Sequence, residues 1–218
     1  MYTMSNKNEK GGRKRPYQMK ARARRRDQVH SRITLAAVEL HESVGPAKTT
    51  MEAIATLAGV RRATVYNHFP TEFELIDACS SHWFSEHPPP DPTPWLEIED
   101  PNRRVETALV QTYRYFESGE GMLAKVLRDA PLVPALEEIS RQKWLPMLER
   151  MTDVLAAGWP VKAASSRMTG IRASLRVALD FSTWQILIAT GMTTEKAAQL
   201  AASWVRVGAP GPRAGNGP

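Results

Sequence analysis

Polar and basic side chains are concentrated between Gly59 and Pro70, in the stretch VRRATVYNHF. Arginine, threonine, asparagine and histidine carry hydrogen-bond donors that suit phosphate oxygens and base edges. Val65 and Phe69 lie four residues apart, so they would share the buried side of a short helix while the polar residues face outward. These residue types at this spacing predict a helix that binds nucleic acid.

No set of catalytic or metal-binding residues competes with this interpretation. The sequence has no glycine-rich phosphate loop, no serine at a nucleophile elbow and no pair of carboxylates expected to share a cleft. His82 and His87 are five residues apart, a spacing that does not favour a shared metal. Cys79 lies in an apolar segment, where we interpret it as a buried hydrophobe. We therefore expect no catalytic activity, no cofactor and no metal site.

Two short helices and a tight turn would position the recognition segment. Residues 49–58 predict one helix, which Thr49 would cap with Glu52 completing a capping box. Gly59 provides a position where a positive φ costs little, and a helix from about Arg61 to Phe69 follows. This arrangement is a helix-turn-helix, the unit that places one helix in the major groove of DNA.

Longer helices flank this unit. Apolar residues recur at helical steps from Val29 to Val44, which predicts a first helix from about Arg26 to Ser43 that ends at Gly45-Pro46. Thr71 would cap a fourth helix that reaches about Ser85.

Positive charge is concentrated in the N-terminal third of the chain. Residues 1–69 contain 14 Lys and Arg against 5 Asp and Glu, whereas residues 70–218 contain 15 against 18. Such a localised excess favours a polyanionic partner, and charge alone does not separate DNA from a membrane surface. Residues 1–25 predict a flexible basic arm, which either remains solvated or contacts phosphates.

The stretches TTMEAIATLAGV and ATVYNHFPTEFEL resemble the DNA-binding domain of the TetR family of transcriptional regulators, and the resemblance assigns that domain to residues 26–77. It implies the following DNA-binding residues: Thr49, Thr50, Arg61, Arg62, Ala63, Thr64, Tyr66, Asn67 and His68. The resemblance further assigns each part of this set a role. Thr50 would hold a phosphate, Arg62 and Ala63 would face bases, and the side chains of Thr64, Tyr66 and His68 would line the DNA backbone.

Two positions depart from the family's usual pattern. Arg61 stands where the family usually has a serine that caps the recognition helix, and Glu72 stands where it usually has a lysine that reaches a phosphate. A carboxylate at position 72 would repel the DNA backbone. We therefore expect Arg61 and the basic arm to offset the lost contact.

The sequence after the proline-rich segment 87–94 is helical in pattern throughout and shows no strand signal. It predicts a helical domain over residues 78–208 and a disordered tail over 209–218. Within that domain we expect a long helix from about Lys162 to Thr190 and a last helix from about Thr194 to Val207. The predicted fold class is all-α, with an N-terminal three-helix helix-turn-helix DNA-binding domain followed by a helical ligand-binding and dimerisation domain.

Aromatic and charged residues in this second region are candidates for an effector site, because such pockets are mostly apolar with few polar anchors. The candidates are Tyr113, Phe116, Arg128, Asp129, Phe181 and Trp184. The aromatic residues could equally be plain core, and Arg128-Asp129 could simply tie helices together.

Specific recognition favours a homodimer, because one helix-turn-helix reads only one half-site of a near-palindrome. The long helix and the last helix are the predicted dimer surface, with these candidate residues: Ala173, Leu175, Ala178, Trp184, Ala189, Ala197, Leu200, Ala201 and Trp204. The single cysteine, together with the lack of a signal sequence or a membrane-spanning apolar run, suits a cytoplasmic protein.

The resemblance to the TetR family also implies partners. It implies a repressor that binds a double-stranded DNA operator and is released by a small, mostly apolar effector. Two alternatives stay open: an architectural DNA-binding protein without an effector, and an enzyme that uses the helical region as a pocket and the DNA-binding module as an accessory.

Overall fold

The computed structural model describes residues 14–208, with the side chains of residues 17–206, and every regular element in that span is helical. The α-helices of this span are α1 (Lys14–Ser43), α2 (Met51–Leu57), α3 (Arg62–His68), α4 (Glu72–Glu86), α5 (Pro101–Asp129), α6 (Pro134–Ile139), α7 (Leu145–Ala156), α8 (Ser166–Ala178), α9 (Phe181–Ala189) and α10 (Thr194–Gly208). The all-α prediction is confirmed. Across residues 14–208, no helix combines the length and apolarity that a membrane span requires.

Helix α1 begins at Lys14, so the predicted start near Arg26 was wrong. Residues 17–26 (YQMKARARRR) contain good helix formers and no glycine. Pro16 falls in the first turn, where its missing N–H costs nothing. Helix propensity thus outweighs the charge repulsion that suggested a flexible arm. The expectations for residues 1–13 and 209–218 lie outside the described residues.

The N-terminal helices enclose a small apolar core of their own. Its buried members are Ile33, Ala36, Ala37, Ile54, Ala55, Ala58, Val65, Phe69, Leu75 and Cys79. The predicted apolar stripe of α1 fails at Val44, which is 42% exposed. Because α1 ends at Ser43, Val44 no longer follows the helical periodicity that would bury it.

The N-cap of α2 lies one residue later than predicted. Thr50 is the cap, and its Oγ1 accepts a backbone N–H of the first turn at 3.1 Å. Thr49 instead closes a short 3-10 turn over Pro46–Lys48 and donates its hydroxyl to the carbonyl of Gly45 at 2.9 Å. Glu52 is therefore not at the position that a capping box requires.

Helix α4 links the two regions of the chain. Leu75 and Cys79 belong to the N-terminal core, whereas Trp83 belongs to the core of the helical region. The helix packs on both α1 and α6. The boundary predicted after residue 77 therefore falls within a helix that both regions share.

Pro146 within the helical pattern predicts an irregularity, and the helical pattern is interrupted between α6 and α7. A π-helical turn covers Ser140–Trp144, and the N–H of Leu145 bonds the carbonyl of Ser140, five residues back. Pro146 has no N–H to donate, so the ordinary helical ladder cannot run through this point.

The long helix predicted from Lys162 to Thr190 is divided into α8 and α9, so this prediction was wrong. Asp180 has an extended backbone, and its Oδ1 accepts the N–H of Ser182 at 2.8 Å. A carboxylate that can cap a new helix thus interrupts the periodic pattern.

Helix α10 buries a different face from the one predicted. Its buried residues pack mainly against α5 and are Ala197, Ala198, Ala201, Ala202 and Val205. The apolar spacing of this segment predicts a buried stripe that includes Ala197, Leu200 and Trp204, but Leu200 is half-buried and Trp204 is 37% exposed, so Ala197 is the only one of these three that is buried. Several residues predicted for the dimer surface are likewise buried within the protomer, namely Leu175, Ala178, Trp184, Ala197 and Ala201.

Candidate DNA-binding surface and its link to the helical region

The turn between α2 and α3 is fixed by backbone hydrogen bonds. Gly59 has a φ of +64°, and the N–H of Val60 reaches back to the carbonyl of Ala55 at 2.9 Å. The N–H of Gly59 also bonds the carbonyl of Thr56 at 3.2 Å. These two bonds form a Schellman motif, which closes α2 and sets the direction of α3.

Helix α3 presents its polar residues outward over a buried base. Val65 and Phe69 are 0% and 2% exposed, as predicted from their spacing. The predicted DNA-binding residues on the outer side are exposed at Arg61, Arg62, Ala63, Tyr66 and Asn67, and half-buried at Thr64 and His68. The structure thus brings these residues onto one short helix and its N-cap.

Arg62 and Tyr66 form a preorganised pair on this surface. The guanidinium donates to the Tyr66 hydroxyl at 3.2 Å, and its carbon lies 5.5 Å from the ring centroid. The hydrogen bond from Arg62 uses only acceptor capacity of that oxygen, so the phenolic hydrogen remains available to a phosphate. The hydrogen bond to Tyr66 also raises the pKa of Arg62, so its positive charge is retained.

His68 is held at the base of α3 rather than on its outer edge. Its ring lies 6.1 Å from that of His30 on α1, and its Nδ1 is buried without a hydrogen-bond partner. Burial lowers the pKa of His68, and the nearby His30 and Arg26 lower it further. The lowered pKa favours the neutral form of His68. The contact between the rings of His68 and His30 also places the basic part of α1 beside the C-terminal end of α3.

Glu72 lies exposed in the first turn of α4. The carboxylate is favourable there for the helix itself, because the N-terminus of a helix carries partial positive charge. Thr71 and Glu74 form the capping box that completes this helix start. Glu72 therefore has a structural reason for its position that is independent of DNA.

Comparisons with known proteins agree with this geometry. Residues 33–79 match the family model of bacterial regulatory proteins, tetR family. This region is therefore similar to the DNA-binding domain of that family. The predicted resemblance to the family is confirmed over these residues. No match was found among curated proteins.

Solved structures of TetR-family regulators share the fold beyond this domain. A TetR transcription regulator from Haloarcula marismortui is 19% identical, with a TM-score of 0.57 over 83% of this chain and 97% of that chain. A tetR-family regulator from Streptomyces coelicolor is 15% identical, with a TM-score of 0.56 over 84% and 79%. A regulator from Rhodococcus is 19% identical, with a TM-score of 0.53 over 84% and 99%. At these identities the likeness extends to the fold alone.

A polar contact joins the helical region to the DNA-binding domain. Asp129, at the end of α5, is 2% exposed and accepts the backbone N–H of Ala47 at 3.0 Å. Arg128 holds the same carboxylate with two hydrogen bonds of 2.7 and 3.0 Å. These bonds lower the pKa of Asp129, so it is ionised at neutral pH. We call Asp129 and its bond to Ala47 the junction latch.

The junction latch depends on a glycine. Gly45 has a φ of +94°, and a Cβ at this position would lie 2.4 Å from the Arg128 guanidinium and 2.5 Å from the Asp129 carboxylate. The sequence suggested Arg128 and Asp129 as site residues, whereas Gly45 was expected only to end the first helix and Ala47 had no expected role. The partners are 82 residues apart, and no local pattern connects them.

The aromatic residues predicted for an effector site lie in the packed core of the helical region. Tyr113 donates its hydroxyl to the carbonyl of Ala178 at 2.9 Å, and Phe116 packs between the rings of Phe181 and Trp184. All four are at most 3% exposed. Trp184 Nε1 is buried without a hydrogen-bond partner. Their role in ligand binding stays a prediction.

Proposed function

We propose that the protein is a sequence-specific transcriptional repressor that binds a near-palindromic operator as a homodimer and releases it when a small effector binds. TetR-family regulators are typically ligand-responsive repressors. The observation that carries the proposal is the helix α3, with its exposed arginines and polar side chains above a buried apolar base, attached to a large helical region. The residues proposed to contact DNA are those of α3 and its cap, together with Thr50 at the start of α2.

The dimer surface is proposed on the exposed apolar side chains of the last three helices. Val177 on α8 is 55% exposed, Ile186 on α9 is 66% exposed and Trp204 on α10 is 37% exposed. Helix α10 packs on both α8 and α9, so these side chains belong to one group of neighbouring helices. Large exposed apolar side chains in such a group are typical of a protein interface.

Selection of bound duplexes from a random pool tests the proposed function. We expect the enriched sequences to contain two inverted half-sites at one fixed spacing, because each dimer presents two copies of α3. A Trp204→Glu variant should weaken the dimer and select single half-sites with lower affinity. Failure to enrich any sequence over bulk competitor DNA would overturn the proposal.

The basic N-terminal part of α1 is proposed to contact DNA phosphates outside the half-site. The part of α1 before Arg26 continues for about 18 Å, and the basic side chains of Arg22, Arg24 and Arg25 are exposed. The Arg26 charge acts on His68 at the end of α3. The extension therefore starts beside the recognition helix and carries a charge that complements the DNA backbone.

Neutralising Arg22, Arg24 and Arg25 to glutamine should weaken operator binding and flatten its dependence on salt. Each phosphate contact that is lost should lower the slope of log K against log salt by about 0.9. Titrations at several salt concentrations measure this slope.

A matched control removes the same charge from the helical region, through Arg103→Gln, Arg176→Gln and Lys196→Gln. This control should leave the slope almost unchanged, because the substituted residues lie on α5, α8 and α10. Equal slopes for the two triple variants would show that the α1 extension makes no phosphate contact.

A further inference from the structure

A small apolar cavity lies where the DNA-binding domain meets the helical region. It measures about 70 Å³ and is lined by residues of α1, the 3-10 turn Pro46–Lys48, α4, α5, α6 and the π-helical turn. The walls are mainly aliphatic and aromatic, and they include Val38, Ile76, Trp83, Val126, Ile139 and Trp144. We call this space the junction cavity. It is distinct from the aromatic core residues predicted for an effector site, none of which lines it.

The polar groups of the junction cavity offer no unpaired charge to a ligand. Lys143 reaches its edge but already pairs with Asp77 at 2.7 Å and donates to the Ser81 hydroxyl at 2.8 Å. Burial lowers the pKa of His41 to about 4, so this ring is neutral at pH 7. Burial also raises the pKa of Cys79 to about 12, so the thiol is neutral too. A charged ligand would lose hydration here without gaining a partner.

The remaining polar lining residues are two uncharged serines. Ser80 on α4 and Ser140 in the π-helical turn carry hydroxyls that can donate or accept. The lining therefore suits an uncharged, largely apolar molecule with at most one or two hydroxyl or carbonyl groups.

The size of the cavity couples binding to movement of its walls. An apolar cavity of about 150 Å³ takes one benzene molecule, and the junction cavity is about half that size. A ring-sized ligand can therefore enter only if α1 and α4 move away from α5 and α6. Such a ligand binds the separated arrangement better than the closed one, and that difference in affinity is what shifts a conformational balance.

The junction latch lies on the two walls that must separate. On α5, the lining residues Val126 and Leu127 immediately precede Arg128 and Asp129 in the chain. On α1, the lining residue His41 lies four residues before Gly45, and the carbonyl of His41 accepts the N–H of Gly45 at 3.1 Å. The latch is therefore a polar contact between the two regions that wall separation would stretch, together with the Lys143–Asp77 ion pair between the π-helical turn and α4.

We propose that the junction cavity binds one small, uncharged, mostly apolar ring compound, and that its occupation opens the Asp129–Ala47 latch and so releases the α1–α2 loop that positions the helix-turn-helix. This inference rests on the proposed function for its effect on operator binding. Asp129 is a positioning residue in this scheme, because it touches the loop and not the ligand.

Binding to the cavity is tested on the full-length protein with toluene, phenol and cyclohexanol, and with benzoate and benzylammonium as charged rings of similar size. Calorimetry and tryptophan fluorescence report binding, since Trp83 and Trp144 line the cavity. We expect uncharged rings to bind at least about tenfold more tightly than charged ones. A charged ring would lose its hydration in the cavity without gaining a charged partner, and even a small part of that cost lowers the affinity tenfold.

Two filling variants, Ser140→Leu in the π-helical turn and Ser80→Leu on α4, add bulk from two different lining elements and should each abolish ring binding. Leucine is a good helix former, so both helices should persist. Equal binding of charged and uncharged rings, or unchanged binding by both folded filling variants, would overturn the assignment of the site.

The effect on the latch is tested by measuring operator affinity with and without saturating phenol. In the natural protein we expect about a tenfold loss of operator affinity on ligand binding, within the usual range of allosteric coupling. Asp129→Ala should weaken operator binding without ligand, strengthen phenol binding by about threefold, and shrink the coupling to about twofold. Asp129→Asn keeps an oxygen that can accept the N–H of Ala47. Its operator affinity, phenol affinity and coupling should therefore lie between those of the natural protein and of Asp129→Ala.

Glu195→Gln is the control for these measurements, because it breaks an exposed Arg114 pair of 3.1 Å between α5 and α10, away from the junction. It should leave the coupling unchanged. A merely structural role for Asp129 would weaken ligand and operator binding together, and that result would overturn the latch. If no operator is found at all, the proposed function fails, whereas the ring-binding measurements on the cavity stand independently.

Discussion

Replacing Gly45 with alanine should lower the free energy of unfolding by about 3 to 5 kcal/mol. The backbone at Gly45, with φ of +94° and ψ of 156°, lies in a region that is essentially restricted to glycine. The added Cβ would also press on the buried carboxylate of Asp129 at 2.5 Å. If that carboxylate moves away, the N–H of Ala47 loses its acceptor. Urea unfolding followed by tryptophan fluorescence, at fixed protein concentration, measures the change.

Gly191→Ala is the matched control for this prediction. Gly191 also has a positive φ of +86°, but nothing lies within 4 Å of the Cβ that an alanine would add there. Its cost should be restricted to backbone strain, about 1 to 2 kcal/mol. A similar loss for the two variants would show that the contact between Gly45 and Asp129 contributes little.

A double-mutant cycle separates the steric part from the backbone part. In an Asp129→Ala background the carboxylate is absent, so Gly45→Ala should cost less than it does in the natural protein. The difference between the two costs is the coupling between position 45 and the latch. Additive effects would indicate that strain at Gly45 acts without Asp129.

The DNA-binding domain could be predicted from the sequence because its determinants are local. The turn glycine, the apolar pair Val65 and Phe69 and the cap at Thr71 act within a few residues of one another. Even there, the cap of α2 was misplaced by one residue, because Thr49 closes the preceding turn instead. A sequence pattern that contains two adjacent threonines does not distinguish these roles.

The helical region was predicted less well because its determinants are tertiary. Asp180 begins a new helix inside a continuous periodic pattern, and only its side-chain hydrogen bond shows this. The buried face of α10 consists of alanines that fit closely against α5, whereas the larger Trp204 remains partly exposed. The spacing of the larger side chains Leu200 and Trp204 favoured a neighbouring face of the helix. The junction cavity is built from six separate elements, so no single stretch of sequence indicates it.

Arg62→Ala should lower operator affinity by about tenfold to a hundredfold, with the loss concentrated at one base pair of each half-site. Arg62 lies in the first turn of α3, is exposed, and is held by the hydroxyl of Tyr66. A guanidinium near the N-terminal end of a recognition helix is well placed for a bidentate contact with a guanine. Competition assays with single-base operator variants measure how the preference changes.

Arg61→Ala provides the comparison, because Arg61 carries the same charge one residue earlier, at the N-cap of α3. We expect this variant to weaken binding to all duplexes by a similar factor and to lower the salt slope by about 1 for each contact, as for a phosphate contact. The two adjacent arginines thus separate base reading from backbone attachment at nearly the same position.

The outcome for Arg62 decides how the Arg62–Tyr66 pair works. If Arg62→Ala loosens the preference at one base pair, Tyr66→Phe should produce a smaller loosening there, because it removes the oxygen that holds the guanidinium in place. If Arg62→Ala instead weakens binding uniformly across all sequences, Arg62 contacts the DNA backbone. Base reading would then have to come from the other exposed α3 residues, Ala63 and Asn67, whose short side chains require a closer approach of the helix to the groove floor.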